Sequence, residues 1–207
     1  QIEGFVLDGV YIPCSSSTIT VPVGFTYYLT SYLWDSDLTQ YHISDIKDVT
    51  LCLRFPEDAN ILSFGGFSAL QWIPVQADMH GSGSPFPTGN PVLYNENGIR
   101  ISLLTYEQRM DSHYWYATVE NNTDKDISID LHNVMIDGQL DENTSYPAFF
   151  VHDSAVGAHQ KTVCYFSPSS LDPIDLQNVE FSIRIMDFTR EKILQESAAR
   201  ICLAVPD

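Results

Sequence analysis

Six histidines are the side chains of this sequence best suited to acid–base chemistry or to binding a metal ion. No two of them form an HxH or HExxH pattern, so the sequence assembles no metal site locally. His152 and His159 flank a short Ala-Val-Gly segment together with Asp153, and we interpret them as ordinary loop side chains. The six are His42, His80, His113, His132, His152 and His159.

Covalent catalysis is not indicated either. A nucleophilic serine of the hydrolase type needs Gly-x-Ser-x-Gly between a strand and a helix, and the segment 81–84 (GSGS) lacks that pattern. A glycosidase needs two carboxylates, but 27 acidic residues offer too many pairs for any one to be informative. We therefore expect no catalytic residue, no cofactor and no metal, and a protein that is not an enzyme.

Aromatic residues are the more informative candidates. Tyr114, Trp115 and Tyr116 alternate along one predicted strand, so one set must face outward if that strand is half-buried. Exposed aromatic rings stack on sugars or anchor protein partners. These three are the candidate ligand-binding residues, and the alternative is that they only fill a core.

Alternation of apolar and polar residues places these candidates on β-strands rather than helices. In 179–185 the odd positions are apolar and the even ones polar, and 49–55 repeats this with Val49, Leu51, Leu53 and Phe55 on the buried face. Turns are predicted at Asn97-Gly98 and Asp137-Gly138, and short helical turns at 169–175 and 190–199. Further strands are predicted at 5–12, 18–23, 26–34, 92–94, 99–106, 113–121, 126–135, 146–151, 160–166 and 199–205.

The strands recur as an internal repeat. The segment 45–55 (DIKDVTLCLRF) aligns with 175–185 (DLQNVEFSIRI), and 21–38 aligns with 154–171. LDG at 7–9 matches IDG at 136–138 in the same order, and Trp72-Ile-Pro falls opposite Ala204-Val-Pro. Four blocks in one order indicate a duplication. The second copy has about 45 residues before its IDG, so we expect the first to lack the two opening strands.

A segment rich in Gly, Ser and Pro separates the copies. We predict a first immunoglobulin-like repeat at 1–80, a linker at 81–91 and a second repeat at 92–207. The predicted fold is all-β, with two tandem antiparallel β-sandwiches.

Four cysteines lie outside any CxxC spacing and do not recur at matched positions of the repeat. Alternation puts Cys52 and Cys202 on solvated faces and Cys164 in the interior. We predict that all four are free thiols: Cys14, Cys52, Cys164 and Cys202.

The second copy resembles a known group of domains. Residues 116–138 (YATVENNTDKDISIDLHNVMIDG), the AVGAHQKT turn and LQNVEFSIRIMD are similar to immunoglobulin-like domains of surface lipoproteins from Gram-positive gut bacteria, of the Firmicutes type and of unknown function. In those domains the Val-Gly turn is usually Pro-Ala-Gly-Lys-like, whereas here the lysine is Lys161. The resemblance spans 92–207, and 5–74 with fewer identities. It implies an extracytoplasmic, cell-envelope setting and supplies no catalytic residues.

Charge and composition limit the partners. A net charge of −17 disfavours nucleic acid and anionic lipid, and no apolar run is long enough to cross a membrane. We expect a cell-envelope or secreted binding or adhesion module of a Gram-positive bacterium, with an unknown protein or glycan ligand. The alternatives are a carbohydrate-binding module that uses the exposed aromatics and a structural spacer that holds another domain off the cell surface.

Overall fold

The computed structural model describes residues 2–14, 35–53, 71–80, 86–109, 112–143, 147–169 and 176–206. In these ranges the chain forms fourteen β-strands and one six-residue helix. The sequence prediction of an all-β protein is confirmed. The predicted strands 18–23 and 26–34 and most of the predicted helical turn 169–175 lie outside the described residues. So does the segment 81–84, with its two serines.

The chain divides into two compact units, residues 1–86 and 87–207. The division falls within the segment 81–91, where the sequence places the linker. Of that segment, residues 86–91 are described, and they contain no strand or helix.

The first unit is one antiparallel sheet with strand order β4-β3-β1-β2 in the described residues. β1 and β2 form a hairpin through the turn Asp8-Gly9, where both residues have positive φ, 47° and 80°. The predicted single strand 5–12 is therefore wrong, because this Asp-Gly pair reverses the chain. The elements are β1 (Ile2–Leu7), β2 (Val10–Pro13), α1 (Asp35–Gln40), β3 (Asp45–Leu53) and β4 (Gln71–His80).

Cys52 is fully buried, which corrects its predicted place on a solvated face. It lies between Gly4 on β1 and Trp72 on β4 in the register. The Tyr11 ring sits so close to Gly4 that a Cβ there would lie 2.7 Å from it, and the Tyr11 and Trp72 rings meet edge to face at 6.0 Å. The small residues Gly4 and Cys52 therefore lie beneath two aromatic rings.

The opposite face of β3 and β4 is the more exposed one. Ile73 and Val75 on β4 are 42% and 45% exposed, and their partners Leu51 and Val49 are half-buried. Val49, Leu51 and Leu53 were expected to be buried, but they are only half-buried, whereas Cys52 on the opposite face is fully buried.

The second unit contains two antiparallel sheets. The first sheet has the order β5-β6-β7-β12-β10, with the Asn97-Gly98 turn joining β5 and β6 as predicted. Its strands are β5 (Val92–Glu96), β6 (Ile99–Arg109), β7 (Ser112–Asn121), β10 (Phe149–His152) and β12 (Gln160–Pro168).

The second sheet has the order β11-β8-β13-β14, and β9 pairs with β8 through the predicted turn Asp137-Gly138. The predicted helical turn at 190–199 is wrong. Residues 188–192 form a turn around the Asp187 carboxylate, which accepts the amides of Glu191 and Lys192, and the chain then continues as β14. The strands are β8 (Ile127–Ile136), β9 (Gln139–Leu140), β11 (Ala155–Val156), β13 (Asn178–Asp187) and β14 (Ile193–Ala204).

One hydrophobic core joins the two sheets of this unit. The first sheet contributes Trp115, Phe149 and Phe166, and the second contributes Phe181 and Ile183. The Phe166 and Phe181 rings stack at 5.3 Å across the core. The second unit is thus a β-sandwich, in which the period-two alternation of the sequence buries one face of each sheet. No helix in the described ranges is long and apolar enough to cross a membrane.

Candidate functional site

Trp115 lies on the core face of β7. It is 1% exposed, packs against Tyr106 and Phe149, and its indole Nε1 donates a hydrogen bond to the Ala204 carbonyl at 3.1 Å. This bond connects the two sheets, because Ala204 ends β14. Trp115 therefore belongs to the core and offers no ring face to a ligand.

Tyr114 and Tyr116 point to the other face of β7, as the alternation requires. Tyr116 lies directly opposite Tyr165 on β12, and Tyr165 lies directly opposite His152 on β10. The ring centroids are 5.7 Å and 4.5 Å apart, and the His152 and Tyr165 planes are within 10° of parallel. Three adjacent strands thus carry one row of aromatic rings.

Two more rings extend this row. Tyr114 lies 5.8 Å from Tyr165, and Phe150 lies 6.0 Å from His152. We call the five residues the aromatic row: Tyr114, Tyr116, Tyr165, His152 and Phe150. Tyr116 is only 7% exposed, whereas the other four are partly exposed. Of the three candidates from the sequence, only Tyr114 is partly exposed.

An arginine lies at one end of the row. The Arg109 guanidinium is 5.6 Å from the Tyr114 ring centroid and 5.9 Å from that of Tyr116, within cation–π range. Glu107 holds it through a 2.9 Å hydrogen bond to Nε. The Arg109 side chain remains 61% exposed, so its charge is available to a ligand beside the rings.

The pKa shifts of three residues in the row favour their uncharged forms. Burial raises the pKa of Tyr116 and of Tyr165, and for Tyr116 the Arg109 charge acts in the opposite direction. Burial also lowers the pKa of His152, which Asp153 partly offsets. Neutral aromatic surface flanked by a single ion pair suits a neutral or apolar ligand better than a polyanion.

The other described histidine side chains have partners of their own. His113 is buried and bonds the Tyr106 hydroxyl through Nδ1 at 2.7 Å, and His132 Nδ1 accepts from Arg184. His159 pairs with Asp124 at 2.8 Å, away from the His152 stack. Among the described residues there is no group of three His, Cys, Asp or Glu side chains that could hold a metal ion.

The sequence pointed to β7 but not to its neighbours in the row. Tyr165, His152 and Phe150 lie 34 or more positions from Tyr114 and Tyr116 in the chain, and only the strand register brings them together. Alternation was the available signal, since it places Phe150 and His152 on the face opposite to the buried Phe149 and Val151.

The described chain is thus an all-β protein whose second unit is a sandwich with an aromatic row on one sheet. No family model matches this sequence, and no curated protein matches it either.

Proposed function

We propose that this chain is a non-enzymatic binding and adhesion module made of two immunoglobulin-like repeats and held in the cell envelope of a Gram-positive bacterium. Recognition uses the surface of a rigid β-sandwich and involves no covalent chemistry. The aromatic row is the observation that carries this proposal. The extracytoplasmic setting rests on the resemblance to surface lipoproteins, since a fold alone does not define a function.

The repeat is supported by matching local structure. Each unit has an Asp-Gly turn with positive φ at both residues. The strand before the turn pairs on its other side with a later strand, β1 with β3 in the first unit and β8 with β13 in the second. Leu7 pairs with Val49 in the first unit, and Ile136 with Val179 in the second. These are the positions that the sequence alignment matches.

The row has the properties of a recognition surface. Aromatic rings supply large contact areas at a small cost in conformational entropy, and they dominate the binding energy of many interfaces. Four of the five rings are partly exposed, and they lie on β-strands rather than on loops. A surface on paired strands is pre-organised, which lowers the cost of binding.

The test is a binding screen of the whole chain against immobilised extracellular-matrix proteins and glycans. For any partner found, we expect Tyr114→Ala and Tyr165→Ala to weaken binding by about tenfold or more, as aromatic anchors do. Leu140→Ala is the matched control, because Leu140 is an exposed apolar residue on β9, outside the row. Binding that survives both tyrosine variants, or turnover of a substrate in a broad hydrolase screen, contradicts the proposal.

A glycan is the second candidate ligand. The geometry of four partly exposed rings, each within 6.0 Å of the next, supports stacking against several sugar units of one chain. Affinity is then expected to rise with oligosaccharide length. Tyr165→Phe keeps the ring and retains most of the affinity, whereas Tyr165→Ala loses it. Equal affinity for a monosaccharide and a long chain would favour a protein ligand instead.

A further inference from the structure

A pocket of about 350 Å³ opens at one end of the sandwich of the second unit, and none of its lining residues belongs to the aromatic row. It lies between the two sheets, next to the β5–β6 and β7–β8 turns. Its volume is at the lower end of the range for small-molecule sites. Neither the aromatic row nor the proposed adhesion function uses it.

The floor of the pocket is aliphatic. Ile99 comes from the first sheet and Ile127, Ile185 and Leu194 from the second, and the three isoleucines are at most 3% exposed. These residues belong to the core or pack against it. The pocket therefore leads from solvent to the end of the hydrophobic core, where a ligand would bury an aliphatic group.

Buried polar groups fix the walls. Asn121 is fully buried, and its Nδ2 donates to the Lys125 carbonyl at 2.8 Å and to the Gly157 carbonyl at 2.9 Å. Its Oδ1 accepts the Thr123 amide at 3.0 Å, so the turn 122–126 is held from inside. On the other side, Asn97 Nδ2 donates to Gln195 Oε1 at 2.9 Å, which joins the two sheets at the mouth. The pocket is pre-formed.

Two charged residues line it, and only one has a partner. The Asp124 carboxylate pairs with His159 at 2.8 Å. Lys125 is exposed, and within the described part of the chain its ammonium group makes no hydrogen bond or ion pair. A cation beside an aliphatic cavity complements a carboxylate attached to an aliphatic body, because the apolar part leaves water while the charged head stays at the rim.

We propose that this pocket binds a small aliphatic carboxylate, with the hydrocarbon on the isoleucine floor and the carboxylate at Lys125. Such a site is independent of the aromatic row, so each can fail without the other. The ligand would reach the pocket from the end of the sandwich.

The experiment is a titration of the whole, ¹⁵N-labelled chain with hexanoate, followed by amide chemical shifts. We expect saturable shifts at residues 97–99, 123–127 and 194–195. Hexanol and hexylamine have the same hydrocarbon length with a neutral or positive head, and we expect both to bind more weakly than hexanoate. No saturable shift, shifts located elsewhere, or equal binding of the three compounds would overturn the proposal.

Two variants locate the site. Lys125→Gln is expected to weaken hexanoate binding by about twofold to fivefold, the range of an exposed ion pair, without affecting hexanol. Lys192→Gln is the matched control, since Lys192 is an exposed lysine at the same end that does not line the pocket. Leu194→Phe fills the cavity and is expected to abolish binding while the thermal unfolding transition is retained. Hexanoate binding that is unchanged in Lys125→Gln contradicts the assigned head-group contact.

Discussion

Asp8 and Asp137 make the same hydrogen bonds in the two units of the chain. The Asp8 carboxylate Oδ1 accepts the amides of Lys47 and Asp48 at 3.2 and 2.9 Å, and the Asp8 amide donates to the Asp48 carbonyl. Asp137 Oδ1 accepts the amides of Gln177 and Asn178 at 3.1 and 2.8 Å, and its amide donates to the Asn178 carbonyl. Each aspartate thus ties a turn to the start of the strand that pairs beside it.

This relationship predicts reciprocal local effects. Asp137→Ala leaves two backbone amides without their acceptor, and it places alanine, which lacks a polar side chain, at a position with positive φ. We therefore expect the free energy of unfolding of the second unit to fall by about 1–2 kcal/mol. Amide exchange at Gln177 and Asn178 should accelerate, while exchange at Lys47 and Asp48 stays unchanged. Asp8→Ala should give the opposite pattern.

Asn in place of the aspartate is the matched control for that pair. Asp137→Asn keeps one acceptor oxygen and tolerates positive φ, so its loss should be smaller than that of Asp137→Ala. If amide exchange accelerated equally at all four residues in both alanine variants, the effect of each aspartate would not be confined to its own unit.

Replacing Asn121 by alanine is expected to cause a larger loss of stability that is not confined to one turn. Asn121→Ala removes two donors and an acceptor from a fully buried site and leaves the carbonyls of Lys125 and Gly157 without that donor. We expect the free energy of unfolding to fall by about 3 kcal/mol, measured by urea denaturation. Asn122→Ala, at the exposed neighbouring position, should change it by less than about 0.5 kcal/mol. Similar losses for the two variants would show that burial of the Asn121 amide is not the cause.

His152 predicts a pH dependence of stability. Its pKa is lowered by burial in the folded state from an ordinary value of 6.5, so the unfolded chain takes up this proton first as the pH falls. Stability is therefore lost as the pH drops below 6.5, with a slope of at most about 1.4 kcal/mol per pH unit, until the folded-state pKa is reached.

The measurement compares urea unfolding of the wild type and of His152→Gln between pH 8 and pH 4.5. The glutamine variant lacks this titration, so the difference in unfolding free energy between the two proteins should change below pH 6.5 and stay constant above pH 7. A difference that is independent of pH would show that the His152 pKa is the same in the folded and unfolded chain.

The cysteines predict two rates of thiol modification. Cys202 is exposed, whereas Cys52 and Cys164 are fully buried and burial raises the pKa of Cys164. We expect Cys202 to react with an aromatic disulfide reagent at pH 8 at least about a hundredfold faster than Cys52 and Cys164, a factor that about 3 kcal/mol of local opening imposes. Cys14, with its pKa raised to about 11 by burial and Glu3, should react more slowly than Cys202.

Cys202→Ser is the control for this experiment and should remove the fast phase alone. Rapid labelling of Cys52 in the native chain would contradict the cover that Tyr11 and Trp72 provide.

The sequence predicted those parts of the fold that depend on local patterns. The Asn97-Gly98 hairpin and the alternation of β13 are determined by neighbouring residues, and both were predicted. The sequence predicts the turn at Asp137-Gly138 but not the one at Asp8-Gly9, because the apolar residues on both sides of Asp8-Gly9 favour one continuous strand. The burial of Cys52 could not be predicted, since it depends on rings from β2 and β4.

The candidate site was predicted only along β7. Alternation separated Trp115 from Tyr114 and Tyr116 but did not identify which side was the core. That depends on the second sheet, which covers Trp115 through Phe181 and its neighbours. The row itself depends on the register of three strands, and no local pattern in one sequence contains that information.

The exposed side of β4 has a consequence for self-association. Among the described residues β4 is an edge strand that pairs only with β3, and it carries the exposed Ile73 and Val75. Such an edge is a template for a strand from a second molecule, and a proline is one of the means by which natural sheets prevent this. Pro74 lies between the two exposed side chains and has no amide hydrogen to donate. Pro74 thus leaves β4 with one backbone donor fewer, a feature that disfavours the pairing of a further strand.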